Sequence, residues 1–430
     1  MKEKFIKSTI ILLIGGAITK ILGMVNKILL TRYLGPEGIG IYMLVIPSFI
    51  LFINIASFGL PVAISKFVSE DTKNNKKLIS TAILFILFVN LLLMIIIILF
   101  SKSISISLLH DRRCYYGILS ISLVLPFVSI SSILRSYFFG KERMFPHIVS
   151  NIFEDIVKIL IIVLLLPLLK KQSIEIVIGF IILSNIVSEI ASIVIMFLFL
   201  PHNFIITKKD IIPSKIYLKD SLSIGIPTTL TRLTGSICYF LEPIILTTVL
   251  ISAGYSNNFI VSEYGVISGY VIPIILLPSF FSMAISQALL PSISKDFARN
   301  NLISVKRKIK KGILYSFFIG LMFTVFIILH PEIPLKTIYH TTRGINYIRF
   351  LAPICLLQYI QAPLSSSMDA IGMSKENFTS NLLGVLVRLI FLLLFSLLKI
   401  GLWGLIISTS INIVVVTLVN ILQIKKRLST

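Results

Sequence analysis

Long apolar runs broken by short charged stretches set the rhythm of this chain. Ile79 to Phe100 and Ser173 to Leu200 are two such runs, each long enough to cross roughly 30 Å of hydrocarbon as a helix. In lipid every backbone polar group needs a partner within the segment, so runs of this length and apolarity predict α-helices. The pattern predicts 12 spans, near 8–31, 39–64, 79–101, 117–139, 147–169, 174–200, 221–250, 263–289, 312–330, 345–367, 378–398 and 401–424. The first follows Lys2, Lys4 and Lys7, as a secretory signal would. Its apolar stretch is too long for a signal core and no small-residue cleavage site follows, so it is expected to be retained. No polar stretch between spans is long enough to bury a soluble core. The fold class expected is therefore an all-α membrane protein.

The spans repeat. Ile18-Thr19-Lys20-Ile21-Leu22-Gly23 returns 212 positions later as Leu230-Thr231-Arg232-Leu233-Thr234-Gly235. Ile64-Ser65-Lys66 returns as Ile293-Ser294-Lys295, with Pro61 and Pro291 just before each, at an offset of 229. Ser150-Asn151 with Lys158 returns as Ser380-Asn381 with Arg388, at an offset of 230. Three matches in register, each at the same end of an equivalent span, predict a duplication: an N-terminal six-helix lobe at 1–200, a cytoplasmic linker at 201–220 and a C-terminal six-helix lobe at 221–430. Six is an even number, so both halves enter the membrane the same way round. Their expected relation is a pseudo-two-fold axis along the membrane normal, as in transporters whose halves rock about a central site.

Composition agrees with this pattern: 56% of residues are hydrophobic and 13% charged. The formal net charge of +22 matters less than its placement. Even-numbered loops and the termini hold 24 Lys and Arg against 9 in odd-numbered loops, which puts both termini in the cytoplasm. The cluster Lys306-Arg307-Lys308-Ile309-Lys310-Lys311 borders a span, so anionic lipid head groups are its expected partners and nucleic acid is not. Cys114, Cys238 and Cys355 stand apart, with no CxxC, and imply neither a disulfide framework nor a metal site. The histidines have no metal-ligand spacing, and there is no phosphate-binding loop for an ATP motor. No enzyme, metal or cofactor is expected.

The chemistry that remains is charge inside spans, where it is expensive and marks function. On a helix, Gly16, Lys20, Gly23, Lys27 and Thr31 fall within about an 80° sector, flanked by Thr19 and Asn26. Lys20 lies near mid-span, where snorkelling to an interface is hard. Lys27 lies nearer the outer end, where snorkelling explains it equally well. The seventh span carries the same design in Thr228, Thr231, Arg232, Gly235 and Ser236. Ten residues on, Glu242 could carry a coupling proton or ion, balance a cation, or make an ion pair near the outer interface. Glu154 and Lys158 are spaced to neutralise each other on one helix face. Arg135 and Arg349 are expected at interfaces. Prolines at both ends of the second and eighth spans (Pro47 and Pro61; Pro273, Pro278 and Pro291) predict bent helices. Cations from both halves, with few fixed anions, suit an anionic ligand such as phosphate or diphosphate.

Three stretches carry a family resemblance: Thr19 to Gly23; Tyr33-Leu34-Gly35-Pro36-Glu37-Gly38-Ile39-Gly40-Ile41-Tyr42; and Gly59 to Glu70. They resemble the stage V sporulation protein B family, as does Gly372 to Asn381 followed by Arg388. The resemblance spans essentially the whole chain and is strongest in the first 80 residues. It implies the multidrug/oligosaccharidyl-lipid/polysaccharide exporter superfamily, with a two-lobed, V-shaped helical fold. The implied activity is flipping a lipid-linked oligosaccharide, such as the peptidoglycan precursor lipid II, across the cell membrane in spore-cortex or envelope synthesis. The implied partners are that glycan on undecaprenyl diphosphate, membrane lipids, and a coupling ion or the membrane potential. Related lipid II flippases carry Arg-x-Leu-Gly in the first span and a second Arg six residues after the first. Lys20 matches the first position; the second falls on Asn26, with the cation displaced to Lys27. Members usually have 14 spans, so a groove built by two further helices is expected to be missing. Lys20, Lys27 and Arg232 are the expected diphosphate ligands, with Asn26, Thr31, Thr231 and Glu242 lining the cavity or coupling. The alternative is a cation-coupled multidrug exporter. It is opposed by first and second spans that hold no acidic residue, Glu37 lying in the loop between them. A non-transporting envelope scaffold is a third reading, and it would have no use for buried cations.

Overall fold

A computed structural model describes residues 2–71, 73–201, 204, 210 and 212–429, with side chains from Ile14 to Leu428. Within the described residues the chain is helical and has no strand. In chain order the elements are α1 (Lys2–Ser57), α2 (Leu60–Glu70), α3 (Asn75–Ser103), α4 (Tyr115–Gly140), α5 (Met144–Leu165), α6 (Ile174–Leu198), α7 (Lys215–Ser252), α8 (Asn257–Gly265), α9 (Ile272–Ile275), α10 (Ser279–Ala298), α11 (Leu302–Leu329), α12 (Glu332–Tyr339), α13 (Ile345–Ala370), α14 (Ser374–Leu397) and α15 (Trp403–Ser429). Each of the predicted spans falls on helix. Nine helical stretches among the described residues are long and apolar enough to cross a membrane by length and composition. One of them, Ile14–Ser57, covers most of the first predicted span and most of the second. α5 is not among the nine because Glu154, Asp155 and Lys158 crowd its middle. Of the predicted linker, residues 202, 203, 205–209 and 211 lie outside the described residues, and its last six residues open α7.

The bends have local causes. In α1 the helix breaks at Gly35 (φ 65°, ψ −176°), just before Pro36; no side chain but hydrogen adopts that geometry without strain. Phe58 and Gly59, at φ 47° and 60°, separate α1 from α2, two residues before Pro61. Between α8 and α10 the path passes through a π-helical turn at Val266–Val271 and a break after Ile275, around Pro273 and Pro278. The proline-rich spans are therefore bent, as expected, although Pro291 sits inside α10 without ending it.

Two compact units emerge, Met1–Phe240 and Leu241–Thr430. The first is centred on Ile64, Ile79, Leu134 and Phe138. The second is centred on Ile293, Ile309, Leu364 and Met368, the residues 229 or 230 positions further on. A close approach also recurs. In the first unit a Cβ on Gly140 would meet the Ser65 carbonyl at 2.6 Å; in the second, Ser294 donates to the Ala370 carbonyl at 3.3 Å. So does an ion pair: Arg113 with Glu37, and Arg343 with Glu263. At one position the solution differs. Asn90 of α3 donates to Ser129 of α4 at 3.2 Å, whereas Gly320, its equivalent 230 residues later, lets the Tyr359 ring pack where a side chain would be. Large apolar side chains left exposed on α3, such as Phe88, Leu91 and Leu99, would be a liability in water and are the expected coat against lipid tails.

Candidate functional site

α1 has a packed side and an open side. Gly15 abuts Ile148 of α5, and a Cβ added there would lie 2.2 Å from it. Asn26 and Thr31 are buried at 8% and 1% exposure. Thr31 donates to the Lys27 carbonyl at 2.7 Å, while the Asn26 side-chain oxygen has no hydrogen-bond partner. On the other side a Cβ on Gly16 or Gly23 would meet nothing within 4 Å, and Lys20 between them is exposed. Lys27 is half-buried two turns further along. The stripe read from the sequence thus divides: Gly16, Lys20 and Gly23 face open space, and Thr31 turns inward.

α7 repeats the open side. Thr231, Arg232 and Gly235 are exposed, and nothing lies within 4 Å of where a Gly235 Cβ would be. Thr231 spends its hydroxyl on the Pro227 carbonyl one turn back, at 3.0 Å. Among the described residues neither Lys20 nor Arg232 has an ion-pair partner. Each therefore presents an unneutralised cation beside a glycine, which leaves room for a bulky anion to approach the helix.

Glu242 is brought to a different partner. It is 5% exposed, and Arg388 of α14 holds both its oxygens, at 2.9 and 3.0 Å. Of the roles left open for it, the ion pair is the one built here. The Nε of Arg388 is buried with no acceptor.

A second charged network lies in the first unit, and the sequence reading missed its centre. Arg135 of α4 reaches Glu154 of α5, and Glu189 and Ser192 of α6, the last two at 3.1 and 3.0 Å. Lys158 donates to Asn185 of α6 at 2.6 Å. Arg135 is thus a cross-link between three helices, where an interface position was expected. The expected Glu154–Lys158 pairing on one helix is replaced by bonds to two different helices. Glu189, 5% exposed in the middle of an apolar run, was the available signal, since a lone carboxylate there needs a cation from elsewhere. No cluster of metal-ligating side chains occurs among the described residues.

Comparison with known proteins places these features in context. A family model described as "Polysaccharide biosynthesis protein" matches residues 5–297. Stage V sporulation protein B of Bacillus subtilis (strain 168) is 29% identical over 437 aligned residues, covering 99% of this chain and 84% of that protein. Lipid II flippase MurJ of the same organism is 22% identical, covering 91% of this chain and 77% of that protein. Among solved structures, an inward-facing multidrug resistance MATE family transporter of the MOP superfamily aligns with a TM-score of 0.76 at 18% identity, over 96% of this chain and 94% of that one.

Proposed function

We propose that this chain, which belongs to the polysaccharide biosynthesis protein family within the multidrug/oligosaccharidyl-lipid/polysaccharide exporter superfamily, is a flippase for a lipid-linked glycan. Its substrate on this reading is an undecaprenyl-diphosphate-linked saccharide of the lipid II type, carried to the outer leaflet by alternating access. Lys20 and Arg232 hold the diphosphate, with Lys27 assisting. Thr231, next to Arg232 on the exposed face of α7, adds to the polar lining, and Asn26, buried beside Lys27 with a side-chain oxygen that lacks a partner, stands behind it.

The observation that carries this reading is the pair of unneutralised cations at equivalent places of a duplicated phrase, each on a helix face against which nothing packs. A diphosphate offers such cations what no side chain does, and in a cavity of low dielectric the attraction is strong. Of the carboxylates inside the spans, Glu154 and Glu189 share Arg135 and Glu242 is held by Arg388, so each of these three already faces a cation.

Lys20→Ala and Arg232→Ala are the test. Each is expected to abolish complementation of a flippase-depleted strain, and to leave lipid II inaccessible at the outer surface, at normal protein levels. Full activity in both variants overturns the assignment. The second reading, export of organic cations driven by a counter-ion, is favoured by the likeness to the MATE fold. It needs a carboxylate free to trade a proton or sodium, and Glu37, at the bend of α1, is already taken by Arg113. Drug resistance conferred on a sensitive strain and lost with Glu242→Gln would favour that reading.

A further inference from the structure

The duplicated ion pair has diverged between the two units. In the first unit Arg113 is fully engaged: Asp111 takes its Nε and Nη2 at 2.9 and 2.7 Å, and Glu37 takes its Nη1. Ile174, opening α6, fills the adjoining space, lying 2.8 Å from where a Gly38 Cβ would be. In the second unit the ion pair remains, but the groups that closed around it have changed. Thr341 stands where Asp111 stood, so Arg343 keeps Glu263 at 2.5 Å and has donors to spare. Tyr347 replaces Gly117 and donates to the other Glu263 oxygen at 2.9 Å. Trp403, 229 positions after Ile174, opens α15. What was filled is now an open cavity of about 430 Å³, lined by Glu263, Thr342, Arg343, Asn346, Tyr347 and Trp403.

These walls are rigid. Gly344, at φ 96°, makes the turn into α13, and a side chain there would strike Val271 at 2.7 Å. The Tyr255 hydroxyl holds the Lys399 carbonyl and so fixes the loop leading to Trp403. Tyr347 and Phe350 pack against the Trp403 ring with centroids 4.9 and 5.6 Å away.

We propose that this cavity is a saccharide-binding subsite, which takes a sugar ring of the transported glycan. A pyranose has an apolar C–H face and a rim of hydroxyls. An indole beside a carboxylate, a guanidinium, an amide and a hydroxyl matches both features, and the volume is that of a small-molecule pocket. The charges already neutralise each other, so the site suits a neutral ring better than a phosphate. By the distribution of loop cations the cavity opens on the outer face, where a translocated head group arrives. The identification of the sugar as cargo rests on the flippase reading above.

Trp403 is the sole tryptophan of the chain, so its emission reports on this cavity alone. The full chain in lipid nanodiscs is titrated with N-acetylglucosamine, its β-1,4-linked disaccharide and maltose, and with inorganic pyrophosphate at matched ionic strength. The expected result is a saturable emission change with at least one saccharide, at a dissociation constant on the order of millimolar, and none with pyrophosphate. Asn346→Ala and Thr342→Ala alter exposed side chains and preserve the fold; each is expected to weaken binding about fivefold to tenfold, the loss of one hydrogen bond. Trp403→Leu, followed by calorimetry, is expected to abolish binding. Silence with all three saccharides, a response to pyrophosphate alone, or unchanged affinity in Asn346→Ala overturns the site. Free saccharides need no transport, so failure of the parent chain to complement a flippase-depleted strain would sink the flippase reading and leave this titration standing, while full activity of Lys20→Ala and Arg232→Ala would sink only the diphosphate assignment. Silence here with those cations essential would sink only the subsite.

Discussion

Removing one side of the Glu242–Arg388 pair strands a charge in the interior of the second unit. Arg388→Ala leaves a buried carboxylate without its cation, and the expected loss is about 3–5 kcal/mol, read as a lowered melting temperature in detergent. Replacing both residues, in Glu242→Leu with Arg388→Met, removes the charge and the need for it together. It is expected to recover most of that loss. A different kind of pair sits outside the spans. Lys308, at 2.6 Å, and Ser304 both bind Asp296, and the Lys308 hydrogen bond holds its carboxyl below the ordinary value of 3.8. A depressed carboxylate stabilises the fold above that ordinary value, and its contribution fades as pH falls through its own lower one. Asp296→Asn should therefore melt below the parent at neutral pH, and the gap should close as the pH falls below the ordinary value.

At the scale of elements, the apolar runs announced nearly every helix, because length and hydropathy alone decide what crosses lipid. The bend before Pro61 and the irregular path near Pro273 and Pro278 were legible for the same local reason, a missing backbone donor. What could not be read was which helix meets which. Arg135, Glu154, Glu189 and Lys158 each look self-contained or peripheral along the chain, and only the packing of α4, α5 and α6 joins them. Lys20 and Arg232 stand out along the chain because a repeated cation in an apolar run has no local explanation, and their role as ligands is what the two alanine variants test. Glycines divide along the same line. A Cβ on Gly59 would lie 2.2 Å from the Gly225 carbonyl oxygen, and one on Gly225 would lie 2.7 Å from that of Phe58. Gly225→Val is expected to cost about 2 kcal/mol or more through overpacking. Gly16→Ala and Gly23→Ala meet open space and should leave the melting temperature unchanged or raise it, by up to about 1 kcal/mol of helix propensity. Any transport defect in those two then belongs to the open face of α1.

For the whole molecule, the distribution of loop cations makes a topological claim that chemistry can test directly. The three native cysteines are buried, so background labelling is low. In intact cells a membrane-impermeant thiol reagent should modify Lys336→Cys, in α12, and spare Lys310→Cys, in the basic stretch of α11, until the membrane is permeabilised. The reverse pattern would invert the orientation. The duplication extends well beyond the words shared in sequence: the two cores use equivalent positions, while the charged networks within them differ. Core positions are held by packing geometry, which duplication preserves. The charges have been free to diverge wherever a new partner came within reach, as Asp111 and Thr341 illustrate.

The crossing of Gly59 and Gly225 has a thermodynamic corollary. Main chain touches main chain there, so no rotamer is frozen when the contact forms and none is released when it parts. The nearby grip on α7 is electrostatic and aromatic: Lys73 pairs with Asp220 and lies over the rings of Phe67 and Tyr217. Were the two helices to part here, the cost would lie in this clasp, and the side-chain entropy at the crossing itself would be untouched.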